Sequence, residues 1–467
     1  MDQKQLQEWV SEHAGALGLP GAAVGVRHQG AEHYAVHGVT STENPLPVDE
    51  HTLFCFGSTG KTFTATAVMR LVEQGRVALD DPVRTYVPEL KLKDPEAAEK
   101  VTVMHLLNHT AGWSGDAFGD FGDGDDALAH FVGSMERLEQ VTPLGSTFSY
   151  NNAAYDLAGH VIARVTGQTY EAAIKELLHD PLKLEHTLFF PNEVMTHRFA
   201  AGHRQEAEGK LVVYRKWAMT RASAPSGGFG VSACVRDQVA WARFHLGDGT
   251  APDGTRLMSK ESLDRMKQPT FEIAGSALGD AVGISWFLRD VDGVRLVSHG
   301  GDVLGQHSAF VMVPEADFAV TVLTNCDGLG SQFNEEAVRW ALEAYLGVVD
   351  RDPEPVTLDD EALAAYAGRY ETIAVWVDIA PSGGGLEARV EIKPETLAEL
   401  SRQGEEVPEQ PPIPLGLLPD SQDRYVVTGG EAKGMKGYFV REPDGTISGV
   451  HIGGRLATRV KEAVAAS

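Results

Sequence analysis

The chain has 467 residues, of which 43% are hydrophobic and 23% are charged, and its formal net charge at pH 7 is −26. This is the composition of a globular protein, and the length predicts two or three domains with a core that needs no disulfides. The negative charge argues against a nucleic-acid partner, because a phosphate backbone is bound by a concentrated basic surface.

The N-terminal residues form a polar amphipathic helix, predicted at 1–16, and contain no apolar segment typical of a signal peptide. Since no apolar run approaches the roughly 18 residues of a membrane span, we expect no membrane partner and a cytoplasmic location. The three cysteines, Cys55, Cys234 and Cys326, are an odd number without metal-ligand spacing. They are predicted to be buried thiols in a reducing compartment, and neither a metal nor another cofactor is expected.

Helices and strands are interleaved over residues 1–347. Alternating apolar residues predict a hairpin at 21–26 and 33–37, and apolar spacings of three and four predict a helix at 58–74 that ends before Gly75. Further helices are predicted at 102–108, 153–166, 170–178, 235–247, 259–266 and 334–346. Three late strands are predicted at 294–298, 308–313 and 318–323. This order predicts an α/β (α+β) fold, in which a sheet is flanked by helices and carries a helical insertion.

The composition changes after Gly347. Residues 348–361 are polar and contain prolines, which indicates a linker. Over residues 362–467 helical patterns nearly vanish, and a small antiparallel β-barrel domain is predicted. Its strands are predicted around residue 370 and at 375–379, 386–392, 425–428, 438–441 and 456–460. Residues 405–418 are rich in proline and glutamate and are predicted to form a mobile loop.

A serine and a lysine lie three residues apart at the start of the helix predicted at 58–74. Side chains at this spacing share one helix face, so Lys61 can reach the hydroxyl of Ser58. A serine becomes a nucleophile when a base takes its proton, and a lysine with a lowered pKa is such a base. The helix N-terminus also offers N–H groups to an oxyanion. An ordinary helix cap remains the alternative, whereas a P-loop would need glycine in place of Cys55.

Two later segments supply further polar groups. Tyr150 and Asn152 alternate in an extended stretch ahead of a helix, which predicts that they face the same way. Beside a lysine ammonium, Tyr150 can be held partly as a phenolate and shuttle a proton, and Asn152 can hydrogen-bond both the lysine and a substrate amide or ester. His299 stands at a strand end and could stabilise or protonate a leaving group, while Gly300 and Gly301 leave room for a substrate backbone. Taken singly, the tyrosine would usually be a packing or capping residue, and the histidine would more often be structural.

Three other features are weaker. His105 and His109 have the i, i+4 spacing of a zinc helix, but residue 106 is leucine where that motif has glutamate, so this segment is predicted to support the site. The acidic loop at 115–126 lacks calcium-loop spacing and is predicted to be a solvated rim of a cleft. Arg455 follows two glycines at a predicted turn of the C-terminal domain. Its guanidinium could bind a substrate carboxylate, but a solvated or structural arginine is the favoured interpretation.

The three motifs are Ser58-Thr59-Gly60-Lys61, Tyr150-Asn151-Asn152 and His299-Gly300-Gly301, in this order. The set resembles the serine β-lactamase and penicillin-binding-protein family, in its class C-like branch, over roughly residues 5–347. Segments 101–113 and 225–230 are similar to accessory segments of that branch. The C-terminal domain is similar to the lipocalin-like appendage of several peptidase, esterase and peptide-cyclising members.

The resemblance implies an acyl-enzyme mechanism. Ser58 would attack a carbonyl, Lys61 and Tyr150 would share the general-base role, and the backbone N–H groups of Ser58 and Asp302 would form the oxyanion hole. Drug-degrading β-lactamases carry lysine where this chain has His299, so weak or no hydrolysis of β-lactams is expected.

Three functional hypotheses remain open at this point. The first is a serine hydrolase that acts on a small ester or on a peptide or amide, with possible preference for a D-residue. The second is an acyltransferase of the same fold, a stand-alone thioesterase that cyclises a nonribosomal peptide from its thioester. The third is a non-enzymatic acylation sensor, which the complete set of Ser58, Lys61 and Tyr150 disfavours.

Overall fold

The computed structural model of the chain describes residues 2–116, 119–206, 209–402, 411–419, 423–430 and 432–460. Strands of the first region are β1 (Gly21–His28), β2 (Ala31–Gly38), β3 (Phe54–Cys55), β4 (Thr187–Leu188), β5 (His203–Gln205), β6 (Leu211–Val213), β7 (Ser232–Ala233), β8 (Phe271–Ser276), β9 (Gly279–Val282), β10 (Phe287–Val291), β11 (Val294–Val303), β12 (Gln306–Val313) and β13 (Phe318–Thr324). The main sheet has eight antiparallel strands in the order β2-β1-β13-β12-β11-β10-β9-β8. A smaller sheet has the order β3-β7-β4, and β5 pairs with β6.

The helices are α1 (Gln3–Leu17), α2 (Gly60–Glu73), α3 (Pro95–Lys100), α4 (Val103–Leu107), α5 (Ala127–Ser134), α6 (Asn152–Thr166), α7 (Tyr170–Ile174), α8 (Asp180–Leu182), α9 (Pro191–Val194), α10 (Val235–Leu246), α11 (Lys260–Met266), α12 (Leu329–Leu346), α13 (Asp360–Leu363) and α14 (Pro394–Arg402). A π-helical turn at Lys175–His179 continues α7, so the helix predicted at 170–178 is present with altered winding. The other predicted helices are confirmed to within a few residues at each end.

The central strands of the main sheet are buried on both faces. Every residue of β13 is buried, as are the first six of β1, and such strands require helices on either side. On one face α1 and α12 contribute Leu6, Val10 and Phe333 to an apolar core with strand residues such as Val24. On the other face α2, α6 and α10 belong to a second and larger core. This arrangement confirms the predicted sheet flanked by helices.

The C-terminal strands are β14 (Gly368–Glu371), β15 (Val375–Ser382), β16 (Gly385–Ile392), β17 (Ile413–Leu417), β18 (Arg424–Val427), β19 (Lys436–Arg441), β20 (Ile447–Ile452) and β21 (Arg455–Arg459). They form a closed antiparallel barrel, in which β14 pairs with β21 through Tyr370 opposite Arg459. The predicted β-barrel is thus confirmed. The domain limits 1–347, 348–361 and 362–467 remain predictions.

The prediction of a mobile loop at 405–418 is wrong for residues 413–417. Residues 405–410 lie outside the described residues, whereas Ile413–Leu417 is strand β17. Leu415 and Leu417 alternate into the barrel core, and Leu415 faces Leu386 across the pairing with β16. Burial of these leucines outweighs the proline-rich composition on which the loop prediction rested.

The barrel packs against the main domain close to the second sequence motif. Phe148, Tyr150 and Phe287 from the main domain share an apolar cluster with Tyr438 of β19. Two backbone contacts accompany it: Tyr150 N–H donates to Gly454 O (2.9 Å), and Leu456 N–H donates to Ser149 Oγ (3.3 Å). A turn of the barrel therefore lies directly on the Tyr150 segment.

In the part of the chain that the structure describes, no helix has both the length and the apolar character needed to cross a bilayer. The cysteines are all free and buried, as predicted.

Candidate active site

Ser58 lies between strand β3 and helix α2. After β3 the chain turns through Gly57, at φ 53°, into a 3-10 turn that runs directly into α2. One turn later, Nζ of Lys61 donates to Ser58 Oγ (3.0 Å) and to the backbone oxygen of Ser226 (2.6 Å). Lys61 has no exposed surface, whereas Ser58 is half-buried and remains reachable. The predicted serine–lysine pair is in direct contact.

Burial sets the protonation of this pair. Desolvation lowers the pKa of Lys61 well below its ordinary value, and the negative charge of Asp156 opposes this shift only in part. Desolvation raises the pKa of Tyr150 above its ordinary value, and a hydrogen bond with Ser58 opposes that shift. Lys61 is therefore the group that can be neutral near pH 7, and Tyr150 is a protonated phenol. The interpretation of Tyr150 as a partial phenolate is not favoured by this environment.

Tyr150 is held on three sides. Its ring stacks on His109 with ring centroids 4.4 Å apart, and Lys61 Nζ lies 4.8 Å from its centroid. The guanidinium carbon of Arg455 lies 5.1 Å from the same centroid. His109 also accepts a hydrogen bond at Nδ1 from the Asn151 N–H (2.9 Å), which fixes the start of α6. The segment at 101–113 thus supports the site through His109.

Glycines allow three backbone segments to meet at the Ser58 amide. A Cβ on Gly301 would lie 2.6 Å from Ser58 N, and one on Gly57 would lie 2.7 Å from Asp302 N. A Cβ on Gly227, at φ 94°, would lie 2.1 Å from Gly57 O. These approaches are closed to any residue with a side chain. They bring the N–H groups of Ser58 and Asp302, the predicted oxyanion hole, to the same place.

The third motif lies on β11, where the strand extends past its partner β10. Strand β10 pairs with residues 294–298 only, so the following residues continue beyond that pairing. Gly300 there is exposed, and His299 is buried. Burial and the nearby charge of Lys61 lower the pKa of His299 to about 3, so its imidazole is neutral. Its Nδ1 bonds to Gly300 O (2.6 Å), which leaves Nε2 as an unpartnered acceptor and disfavours proton donation to a leaving group.

Asp302 carries its carboxylate away from this backbone site. It bonds to His307 Nδ1, and Asp327 contacts His307 Nε2 at 3.0 Å. Burial alone would lower the pKa of His307, but the hydrogen bonds to Asp302 and Asp327 raise it to about 9. A charged imidazolium therefore lies between the two carboxylates.

Asn152 and Arg455 both bond to Asp116, a residue that no sequence motif indicated. Asn152 is the first residue of α6, and its amide donates to Asp116 Oδ1 (2.8 Å). Arg455 forms a bidentate ion pair with the same carboxylate, with Nη2 at 3.1 Å from Oδ1. The predicted bond between Asn152 and Lys61 is replaced by this contact in the structure. Most of the described part of the rim predicted at 115–126 is exposed as expected, and residues 117 and 118 lie outside the described residues. Asp116 departs from that prediction, because it is bound by Arg455 and Asn152.

Asp156 is the other site residue that sequence reasoning missed. It lies on α6, is almost fully buried, and its carboxylate accepts a hydrogen bond from Ser226 N–H (3.0 Å). Because Ser226 O in turn accepts from Lys61, one residue bridges the carboxylate and the lysine. Burial raises the pKa of Asp156 above its ordinary value. An aspartate inside the apolar run AAYDLAGHVI was the signal that could have found it.

Comparison with known proteins gives the family. The family model described as Beta-lactamase matches residues 6–345. Penicillin-binding protein 4 of Amycolatopsis lactamdurans is 35% identical over 364 residues, which are 76% of this chain and 93% of that protein. The crystal structure of SurE superposes with a TM-score of 0.75 at 24% identity, over 98% of this chain and 99% of SurE. The octameric penicillin-binding protein homologue from Pyrococcus abyssi gives a TM-score of 0.65 at 25% identity, over 96% and 98% of the two chains. This chain belongs to the beta-lactamase family of serine hydrolases.

Proposed function

We propose that the protein is a serine hydrolase that forms an acyl-enzyme on Ser58 from a small ester or from a peptide or amide. The observation that carries this proposal is the contact of a fully buried lysine with a half-exposed serine hydroxyl. Neutral Lys61 takes the proton from Ser58 as its oxygen attacks the carbonyl carbon. The oxyanion is stabilised by the N–H groups of Ser58 and Asp302.

Collapse of the tetrahedral intermediate expels the leaving group, which needs a proton. Tyr150 bonds to Ser58 and holds a phenolic proton, so it passes that proton on and recovers one from Lys61. In the second half of the reaction, water attacks the acyl-enzyme ester on Ser58. The proton of the water returns to the Ser58 oxygen through Tyr150 and Lys61. Free carboxylic acid leaves, and Ser58 is regenerated.

The charge distribution argues for a substrate other than a β-lactam antibiotic. The third motif begins with a neutral imidazole rather than a cation, because burial keeps His299 unprotonated. Among the described residues, Arg455 of the barrel brings a cation to the site, where it lies over Tyr150 and is paired with Asp116. A substrate carboxylate would therefore be bound on the barrel side of the site. Weak or no turnover of a chromogenic cephalosporin is the expected result.

The test uses p-nitrophenyl acetate and butyrate. We expect a burst of nitrophenol that is stoichiometric with enzyme, followed by slower turnover, and we expect Ser58→Ala to abolish both. Persistence of turnover in the Ser58→Ala variant would contradict the proposal. Absence of any burst or turnover in the wild type with esters and peptides alike would favour the non-enzymatic sensor.

A second candidate is transfer of the acyl group to an amine, as in cyclisation of a peptidyl thioester. It is favoured by the cover that the barrel places over the Tyr150 side of the site, since Tyr438 packs in the same cluster. Such a cover hinders water and favours a bound nucleophile. Incubation with a peptidyl thioester and mass spectrometry separates the two: cyclic product supports transfer, and linear acid alone supports hydrolysis.

A further inference from the structure

Three potential metal ligands converge outside the site described above, at one end of the small sheet. His51 precedes β3, His186 precedes β4, and Cys234 follows β7. Because β7 is the central strand and is antiparallel to both neighbours, its C-terminal end lies beside the beginnings of β3 and β4. One ligand atom from each of the three residues lies within 4.8 Å of the others.

The donor set is specific in its chemistry. Two imidazoles and a thiolate are preferred by zinc and related divalent transition ions, and they exclude calcium or magnesium, which take oxygen ligands. Among the described residues, none makes a hydrogen bond to a ring nitrogen of His51 or His186, so their lone pairs are available. His51 is exposed, which gives an ion a path from solvent. His197 has its ring centroid 5.3 Å from that of His186, but it does not belong to the group of three converging ligand atoms.

Polar contacts hold the segments that carry the ligands. Cys234 is the N-cap of α10, and its side chain makes no cap hydrogen bond there. The Asp237 carboxylate accepts hydrogen bonds from the backbone N–H of His186 (2.8 Å) and from Thr187 Oγ1 (2.9 Å). These bonds fix the segment that carries the His186 side chain. The Arg236 guanidinium, the nearest cation in sequence, is paired with Glu50 (2.7 Å).

We propose that His51, His186 and Cys234 form a site for a zinc-class divalent ion, with water as the fourth ligand. Binding forms bonds from one imidazole nitrogen of each histidine and from the sulfur to the ion, and it releases the thiol proton to solvent. The ion joins the ends of three strands, one of which leads directly to Ser58. Its role is structural, because it ties β3 in place from the end opposite to the nucleophile.

Cobalt(II) titration of the chelator-treated full chain tests this site. We expect one ion per chain, with thiolate-to-cobalt charge-transfer absorption, and displacement of that absorption by zinc. Zinc alone is expected to raise Tm by a few degrees, since an ion that binds only the folded state stabilises it.

Matched variants identify the ligands. Cys234→Ser removes the charge-transfer absorption, whereas Cys326→Ser, which changes another buried thiol, leaves it intact. His51→Ala weakens binding about tenfold or more, while His130→Ala, at another exposed histidine, has no effect. Because His51 is exposed, its variant tests the site even where Cys234→Ser does not fold. Absence of stoichiometric binding in the wild type, or binding unchanged by His51→Ala and Cys234→Ser, would overturn the proposal.

Discussion

The main domain and the barrel contribute to one site with side chains in opposite environments. Lys61, at the start of α2, has no exposed surface and bonds to Ser58 and to a backbone carbonyl. Arg455, at the start of β21, keeps 38% of its side chain exposed and is held by one carboxylate, Asp116. Burial shifts the pKa of the lysine, whereas the arginine stays charged and faces solvent. We therefore propose that the main domain supplies the chemistry and the barrel supplies substrate selection.

Among the variants that test this division, the one that removes the Lys61 amine is expected to lose the most activity. Lys61→Met keeps the length of the side chain and removes the base, and we expect kcat/KM for a neutral p-nitrophenyl ester to fall about 10³-fold. Lys267→Met is the matched control, because Lys267 is also buried and bonds to His245 O (2.7 Å) away from the site. Similar losses of activity in both variants would mean that folding, and not the base, is measured.

The pH dependence follows from the same lysine. The base acts only when neutral, so kcat/KM rises as pH increases through the pKa of Lys61, which burial has lowered. We expect this rising limb well below the ordinary range of lysine. A profile that keeps rising into the ordinary lysine range would contradict a desolvated base.

Tyr150→Phe removes the phenolic proton and keeps the ring between His109 and Arg455. We expect kcat/KM to fall about 10²-fold, with less change in KM than in kcat, because the hydroxyl serves proton transfer. The measurement is steady-state hydrolysis of esters with good and poor leaving groups. The loss should be greater for the poor leaving group, which needs protonation, and equal losses would argue against Tyr150 as the proton donor.

Asp156→Asn tests the carboxylate behind Ser226. Asparagine keeps an acceptor oxygen for the Ser226 N–H and removes the negative charge that opposes the lowering of the Lys61 pKa. We therefore expect the rising limb of the pH profile to move to lower pH, with at most about a tenfold loss at its plateau. If Asp156 had only a structural role, Asp156→Asn would lower the free energy of unfolding and leave the rising limb of the pH profile at its wild-type position.

The smallest change in kinetics is expected for a substitution in the barrel. Arg455→Ala should raise KM about threefold to tenfold for an anionic substrate and leave a neutral ester unchanged, since a partly exposed charge pair contributes roughly 1 kcal/mol. Arg389→Ala, at an exposed arginine elsewhere in the barrel, is the control. Equal effects on both substrates would show that Arg455 supports Tyr150 without selecting a carboxylate.

Local patterns predicted the parts of the molecule that depend on nearby residues. The helix at 58–74, the hairpin at 21–26 and 33–37 and the meander at 294–323 all have short-range apolar periodicity, and the structure has each of them. Strands β8 and β9 were not predicted, because Phe271–Ser276 and Gly279–Val282 are interrupted by glycines and lack regular alternation.

Contacts between distant residues could not be read from the sequence. Asp116 and Arg455 are 339 positions apart, and their ion pair exists because the barrel packs on the Tyr150 segment. The ligands His51, His186 and Cys234 have no motif spacing either, since the pairing of three short strands brings them together. The motif residues Ser58 and Lys61 are three positions apart, and one helical turn is enough to join them.

Intact-protein mass spectrometry after rapid quenching tests the central claim most directly. Wild-type protein mixed with p-nitrophenyl butyrate should gain the mass of one butyryl group, and peptide mapping should place it on Ser58. The Ser58→Ala variant should gain none, and Lys61→Met should acylate far more slowly than Lys267→Met. Acylation of Ser58→Ala to the same extent, or wild-type turnover in which Ser58 is never modified, would contradict the account.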